Sequence, residues 1–411
     1  MIARILAIGD ELTLGRTVDT NSSHISRFLT DRGLHVERIQ VVGDGQEGIE
    51  QALASAAEGA DLVVVSGGLG PTDDDRTRYA LSAVAGAALG LRPRAWQQVR
   101  RWFTRLRPGF EIPESNRRQA LLPRGSHILD NDRGTAPGIL MRIAGCPVAC
   151  LPGVPHEMVA MLERLGARLP RLVPGLRPPT IAELWFAGIG ESTAQELIGD
   201  LLTEHRPQVG ITVSDLGHIT LRIVGTATEV AARRTALRRC IAPYLLPKPG
   251  IATSLVDRLA RRGWSISAAE SCTCGQVAAQ LGAVPGASRV LRQSLVAYHP
   301  EAKRRLLGVS AALVRRHGIV SEAVARQMAI GARRWSSADV AVATTGVAGP
   351  GGSTPGRPVG TVCLAVAVRH GVVTRTIQVS GSRERIQRRA AGYALLMAWE
   401  VASGRLAPGR A

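Results

Sequence analysis

Trp264-Ser265-Ile266-Ser267-Ala268-Ala269-Glu270-Ser271-Cys272-Thr273-Cys274-Gly275-Gln276-Val277-Ala278-Ala279-Gln280-Leu281-Gly282 decides how the last third of this chain folds. Trp264 to Ala268 is a short apolar run that reads as a strand, and Gln276 to Gly282 reads as a helix. The residues between them must turn directly from one to the other. Such a turn sets the Ser271 hydroxyl near unpaired backbone N–H groups at a helix start, which can stabilise an oxyanion and position a nucleophile. Ser271 or Thr273 can equally serve as the N-cap, a common use of these residues.

Working outward, Ile251 to Gly263 has the pattern of a helix, and Val340–Gly346 and Val359–Val368 are two strong strands ahead of a terminal helix. Ala297-Tyr298-His299-Pro300-Glu301-Ala302-Lys303 places Pro300 at a first helical position, with Tyr298 just outside and Lys303 one turn in. A lysine acts as a base for a serine only when unprotonated, a state that burial or neighbouring cations favour. Lys303 adjoins Arg304 and Arg305, so a solvated basic face is the alternative reading. Thr344-Thr345-Gly346-Val347-Ala348-Gly349-Pro350-Gly351-Gly352 leaves a β-branched strand for a glycine-rich loop, which lets backbone N–H groups approach an anion.

From Ile2 to about Arg171 short apolar runs (Ile5–Asp10, Val36–Asp44, Asp61–Gly68) alternate with amphipathic stretches, including a helix from about Asn21 to Arg32. The pattern predicts βαβ units in a mostly parallel sheet, with ligands at the carboxyl ends of the strands. Gly9-Asp10-Glu11, Asp19-Thr20-Asn21 and Ser66-Gly67-Gly68-Leu69-Gly70-Pro71-Thr72-Asp73-Asp74-Asp75 fall at such ends. Clustered carboxylates can hold a hard cation, although acids at a helix start also favour its dipole. Leu172 to Pro178 reads as a linker. A small α+β module follows, with strand, helix, a hairpin-like pair and a second helix ending near Leu246, and Leu246 to Gly250 punctuates its end.

The boundaries thus fall at 1–171, 172–248 and 249–411, a count that suits a 411-residue chain. Six cysteines with no paired CxxC suggest reduced thiols. No stretch reaches membrane-spanning length, so a cytoplasmic location is expected. A net charge of +18 raises nucleic-acid binding, but aromatics are only 3%, which supplies a stacking platform poorly.

Taken together, the motifs closely resemble the competence/damage-inducible protein A (CinA) family. Ala269 to Gly275, Tyr298 to Lys303, Thr344 to Gly352, Pro358 to Val362 and Gly381-Ser382-Arg383 stand where that family has AESCTGG, YSNEAK, STGIAGPxGG, PVGTV and GDR. The departures are Cys274 for glycine, His299-Pro300 for Ser-Asn, and Ser382 for the acid of GDR. The resemblance implies a C-terminal nicotinamide-nucleotide amidase needing no cofactor, with Ser271 as nucleophile, Lys303 as base, and Tyr298, Thr345 and Arg383 orienting the pair and binding substrate. Glu270, Thr273, Gly275, Gly346, Ala348, Gly349, Gly351 and Gly352 would line that pocket. Cys272 is a rival nucleophile with no nearby His to lower its pKa.

The N-terminal part is similar to the MoaB/MogA-like, molybdopterin-binding fold of the same family, with Asn116 to Ala120, Gly134 to Gly138 and Leu151 to Met158 as further motifs. There the resemblance implies a three-layer α/β domain acting as a metal-assisted ADP-ribose pyrophosphatase. Gly67, Gly68, Gly70, Thr72, Pro152 and Gly153 would bind substrate. Asp74, Asp75 and Glu11 would hold a divalent cation, Mg2+ or Co2+-like, with K+ as a companion. The middle module resembles the family's KH-like insert but lacks a GXXG loop, so RNA binding is not inferred. The expected partners are a pyridine nucleotide, ADP-ribose and a second copy of the chain. A molybdopterin-handling protein with an inert tail and a DNA-associated competence protein are the rival readings.

Overall fold

The computed structural model describes residues 1–106, 109, 111–204 and 206–409, in two compact units, Met1–Pro179 and Thr180–Ala411. In the first unit a six-stranded sheet runs in the order His35–Val42, Ile2–Ile8, Leu62–Ser66, Cys146–Leu151, Gly138–Ile143, His127–Leu129. The first four strands are parallel and the last two join antiparallel. Alternate residues face opposite cores: Leu6, Ile8, Val63 and Val65 pack with Ile49 and Leu53, while Ala3, Ile5, Leu62 and Val64 pack with Ile25, Met158 and Leu162. Helices cover both faces, which is why the central strands are continuously apolar and why the domain has three layers.

Two expectations shift here. The helix begun at Asn21 ends at Thr30 rather than Arg32. Leu172 to Pro178 is not a free linker, because Val173 is 3% exposed within a core and Leu172 and Leu176 pack against it. The unit boundary therefore falls after Pro179.

In the second unit a four-stranded antiparallel sheet runs Gln208–Val213, His218–Gly225, Thr180–Ala187, Leu245–Leu246. Its long helix, Ala227–Cys240, starts in a capping box between Thr226 and Glu229. That helix stops at Cys240, short of the expected Leu246, because Leu245 and Leu246 pair with Phe186 and Trp185 as an edge strand.

A five-stranded sheet completes the unit, ordered Leu291–Val296, Ile266–Glu270, Val340–Gly346, Thr361–Val368, Gly371–Gln378. The strand that opened the reading begins at Ile266 rather than Trp264 and runs to Glu270, since Ser265 turns its N–H and hydroxyl onto Asp339 at 2.7 and 2.8 Å. Gly371–Gln378 is an additional antiparallel strand whose Thr-Arg-Thr centre and half-exposed face hid it from apolar patterning. Ile266, Ala268, Val340 and Val342 pack on helices Ile251–Arg262 and Arg383–Ser403, and Ala269, Ala341 and Ala343 pack on Glu322–Ser336. Ala187 and Leu246 of the middle module lie in the same core as Leu255 and Leu396, so no gap opens at 248/249. Among the described residues no helix is long and apolar enough to cross a membrane.

Candidate active site

Ser271 is the first residue beyond Ile266–Glu270, a strand flanked on both sides by parallel neighbours. Its amide donates to the Thr344 carbonyl at 3.0 Å, and Cys274 N–H returns to the Ser271 carbonyl at 3.1 Å, closing a tight turn. Cys274 takes φ +48°, a left-handed conformation that explains why glycine is the family's residue there. Ser271 itself is 8% exposed.

Glu270 does something other than line the pocket. It is fully buried, and its carboxylate accepts from the amides of Gly275, Val277 and Ala278 at 2.9 to 3.0 Å and from the Thr273 hydroxyl at 2.7 Å. These are the orphan donors of helix Gln276–Gly282, so a buried carboxylate holds a seven-residue helix against the strand end. Glu270 and Thr273 thus position the turn, and the amides of that helix are spent on Glu270 rather than free for an oxyanion. Gly275 is the N-cap, at φ +94°.

Lys303 follows the next strand, Leu291–Val296, and sits in helix Pro300–Leu307. Ala297 N–H donates to the Glu270 carbonyl at 2.8 Å, which sets residues 297 and 298 beside the Ser271 turn. Helix Pro300–Leu307 then brings the Lys303 amine back, donating to the carbonyls of Ala297 and Tyr298 at 2.8 Å each. The side chain is 1% exposed, and burial lowers its pKa from 10.5 to about 8. The solvated-face reading of Lys303 is therefore wrong. Among the described residues no hydrogen bond joins its amine to Ser271, but two carbonyls take only two of its three donor directions.

Cys272, the rival nucleophile, lies close enough to Lys303 for their charges to interact. Burial pushes the Cys272 thiol up to about 12, so it stays protonated. His299 is the N-cap of Pro300–Leu307, its Nδ1 accepting from Glu301 N–H at 3.3 Å.

Tyr298 is exposed, and its hydroxyl accepts from Arg383 at 2.7 Å; the same guanidinium donates to the Gly349 carbonyl at 2.5 Å. Ser382 caps the helix that begins at Arg383, accepting from Arg385 N–H at 3.3 Å, so a hydroxyl supplies the acceptor that the acid of GDR would. Thr345 is buried with its hydroxyl on the Ile319 carbonyl at 3.0 Å. Thr344 is the threonine that meets the turn, 2.7 Å from the Thr273 hydroxyl. In the glycine-rich loop, Ala348 is core, a Cβ on Gly346 would meet the Thr361 carbonyl at 2.6 Å, and Gly351 and Gly352 are exposed.

In the first unit, Gly67 takes φ +111°, and a Cβ there would meet the Ile8 carbonyl at 2.2 Å, so only glycine lets the loop leave the sheet. Asn21 joins two motifs by donating to Ser66 Oγ at 2.9 Å and to the Gly153 carbonyl at 2.7 Å, while its own Oδ1 is buried without a partner among the described residues. Ser66 also donates to Pro152 O at 3.3 Å. The expected ligand trio is not assembled. Asp75 accepts from Gly70 N–H at 2.7 Å and from the Thr72 amide and hydroxyl, Asp73 pairs with Arg118, and Asp74 is exposed. Among the described residues no three His, Cys, Asp or Glu gather as an ion cage. Burial, with the charges of Asp10, Glu11 and Asp74, raises the Asp44 carboxyl, against the lowering effect of its hydrogen bond from the Asp10 amide.

The profile described as "CinA C-terminal domain" matches residues 249–401, "Probable molybdopterin binding domain" matches 4–172, and "Damage-inducible protein CinA KH domain" matches 183–243. A competence-damage inducible protein of Symbiobacterium thermophilum is 39% identical over 97% of this chain and 98% of its own length. The chain belongs to the CinA family. A CinA-like protein of Citrifermentans bemidjiense is 38% identical over 94% of each chain. The solved CinA protein of Thermoplasma acidophilum is 35% identical and covers 41% of this chain and 97% of its own, with TM-score 0.39.

Motif reading of this CinA chain gave no individual role to Thr344, Asp10, Asp44 or Arg78. Strand alternation would have flagged Thr344, since it pairs with Glu270 across the sheet. Arg78 is 1% exposed and donates to the carbonyls of Leu69 at 2.5 Å and Gly70 at 2.8 Å, bracing the glycine loop from behind. Nothing in the linear sequence separates it from the chain's many surface arginines.

Proposed function

We propose that the C-terminal domain is a serine–lysine amidase that deamidates nicotinamide mononucleotide, giving nicotinic acid mononucleotide and ammonia. The observation that carries this reading is the Lys303 amine: buried, fixed by two carbonyls beside the Ser271 turn, and with its pKa lowered to about 8. A base with that proton affinity is matched to work near neutral pH.

Ser271 Oγ attacks the carboxamide carbon while its proton passes to Lys303. The resulting alkoxide collapses as Lys303 returns the proton to nitrogen, expelling ammonia and leaving an acyl-serine. Water, deprotonated by the same amine, cleaves the ester and restores Ser271 with the product carboxylate. Arg383, held between Tyr298 and Gly349, offers the charge that fits the nucleotide phosphate. Incubating the purified chain with nicotinamide mononucleotide and quantifying ammonia tests the reading. Absence of ammonia together with salt-sensitive DNA binding would instead support a DNA-associated role.

A second reading concerns the N-terminal domain, where the orphaned Asn21 Oδ1 beside the Gly67 loop favours a ligand that donates to it. We propose ADP-ribose as that ligand, with cleavage at the diphosphate. Because the acids form no preformed cage, the requirement for Mg2+ or Co2+, with or without K+, is tested directly: ADP-ribose cleavage is measured with chelator and after metal re-addition. Chelation that abolishes ADP-ribose cleavage but spares ammonia release supports two separate sites. Homodimerisation is proposed on the general prevalence of symmetric pairs.

A further inference from the structure

Within the second unit, a cleft of about 880 Å3 lies between the middle module and the C-terminal domain. Helix Ala227–Cys240 lines it with Arg234, Arg238 and Arg239, helix Ile251–Arg262 with Arg258, and strand Thr180–Ala187 with Trp185. The arginines differ in how they are held. Arg258 donates to the Ala402 carbonyl at 3.1 Å, whereas Arg234, Arg238 and Arg239 are exposed and form no ion pair or hydrogen bond among the described residues.

Three guanidiniums on one helix repel one another, and each is a rigid fork suited to phosphate oxygens. A solvated helix face would dilute that charge into open water. Here a concave wall and the half-exposed Trp185 ring face the same space. The volume suits a ligand of nucleotide size. A groove that tracks a nucleic-acid strand needs successive stacking rings, but the other tryptophan on the cleft, Trp399, is 4% exposed and covered by Arg405 at 4.5 Å.

We propose that this cleft binds a nucleoside diphosphate or triphosphate, its phosphates held by Arg234, Arg238 and Arg239 and its base lying against Trp185. The site is separate from the Ser271 turn. Helix Arg383–Ser403 connects them, with Arg383 bonded to Tyr298 at one end and Trp399 and Ser403 on the cleft at the other, roughly 30 Å apart at 1.5 Å per residue.

The test titrates ADP into the full chain, reading tryptophan fluorescence and binding heat. ADP should quench a signal that Trp185→Phe removes, and Arg234→Ala/Arg238→Ala/Arg239→Ala should weaken that binding at least tenfold while ammonia release from nicotinamide mononucleotide is unchanged. Arg238→Lys/Arg239→Lys should restore part of the loss. ADP that leaves Trp185 fluorescence unaltered, or binds the triple variant as tightly as wild type, overturns the proposal. It is equally overturned if a short single-stranded DNA loses affinity in the triple variant while ADP binding does not change.

Discussion

Lys303 donates to the backbone carbonyl of Tyr298 at 2.8 Å, so the residue that fixes the buried amine also presents the phenol that Arg383 engages at 2.7 Å. In the proposed mechanism, the base and the phosphate-binding arginine are thus tied through one residue. A shift of Tyr298 moves both.

Ser271→Ala should abolish ammonia release, with a loss of roughly 1000-fold or more in turnover, and leave circular dichroism unchanged. Cys272→Ser should keep most activity, because the thiol is buried and protonated. The reverse pattern in the ammonia assay would make Cys272 the nucleophile.

The pH profile follows from the Lys303 amine. Its pKa is lowered to about 8, so the free base is scarce below that pH and dominant above it. Deamidation rates should climb as pH rises through about 8 and then level. Lys303→Met, which matches the length without a proton to exchange, should fold, bind nicotinamide mononucleotide, and lose about 100-fold or more in kcat. An unchanged pH profile in that variant would remove Lys303 from the chemistry.

Glu270→Ala would strand three helix amides in a buried site. The expected cost is about 3 kcal/mol or more, since each unsatisfied buried donor costs roughly 1 to 3 kcal/mol. Urea denaturation reads it. Addition of free substrate should not rescue stability if the role is to hold the turn.

Cys274→Gly should raise stability by about 1 kcal/mol, because a left-handed conformation penalises any side chain with a Cβ, and φ at this position is +48°. Thermal melts measure the gain. Activity that falls on this substitution would instead give the exposed thiol a part in binding.

Contiguous motifs made Ser271, Lys303, Tyr298 and Arg383 legible, since each sits in a short segment with its own turn or helix signal. What stayed hidden depends on direction in space. Thr344 and Thr345 are neighbours in sequence, but strand alternation aims one at the Ser271 turn and the other at Ile319. Glu270 reads as a pocket acid until the donors from Thr273, Gly275, Val277 and Ala278 are seen on it, and Asp75 reads as a metal ligand until Gly70 and Thr72 are found on it. The layers of both α/β domains were readable from apolar runs; the strand Gly371–Gln378 was not, because Thr374 and Thr376 on one face and Arg375 on the other interrupt its apolar pattern.

The burial of Lys303 has a consequence for labelling chemistry. Read through its full length, this chain has 51 basic residues of which only Lys248 and Lys303 are lysines. Arginine carries nearly all of the positive charge, and the one buried lysine is the residue proposed as the base. Lys248 is exposed, so an amine-selective acylating reagent meets one accessible side chain on the native protein and a second only when helix Pro300–Leu307 lifts from the sheet. Modification at Lys303 would therefore record how often helix Pro300–Leu307 opens.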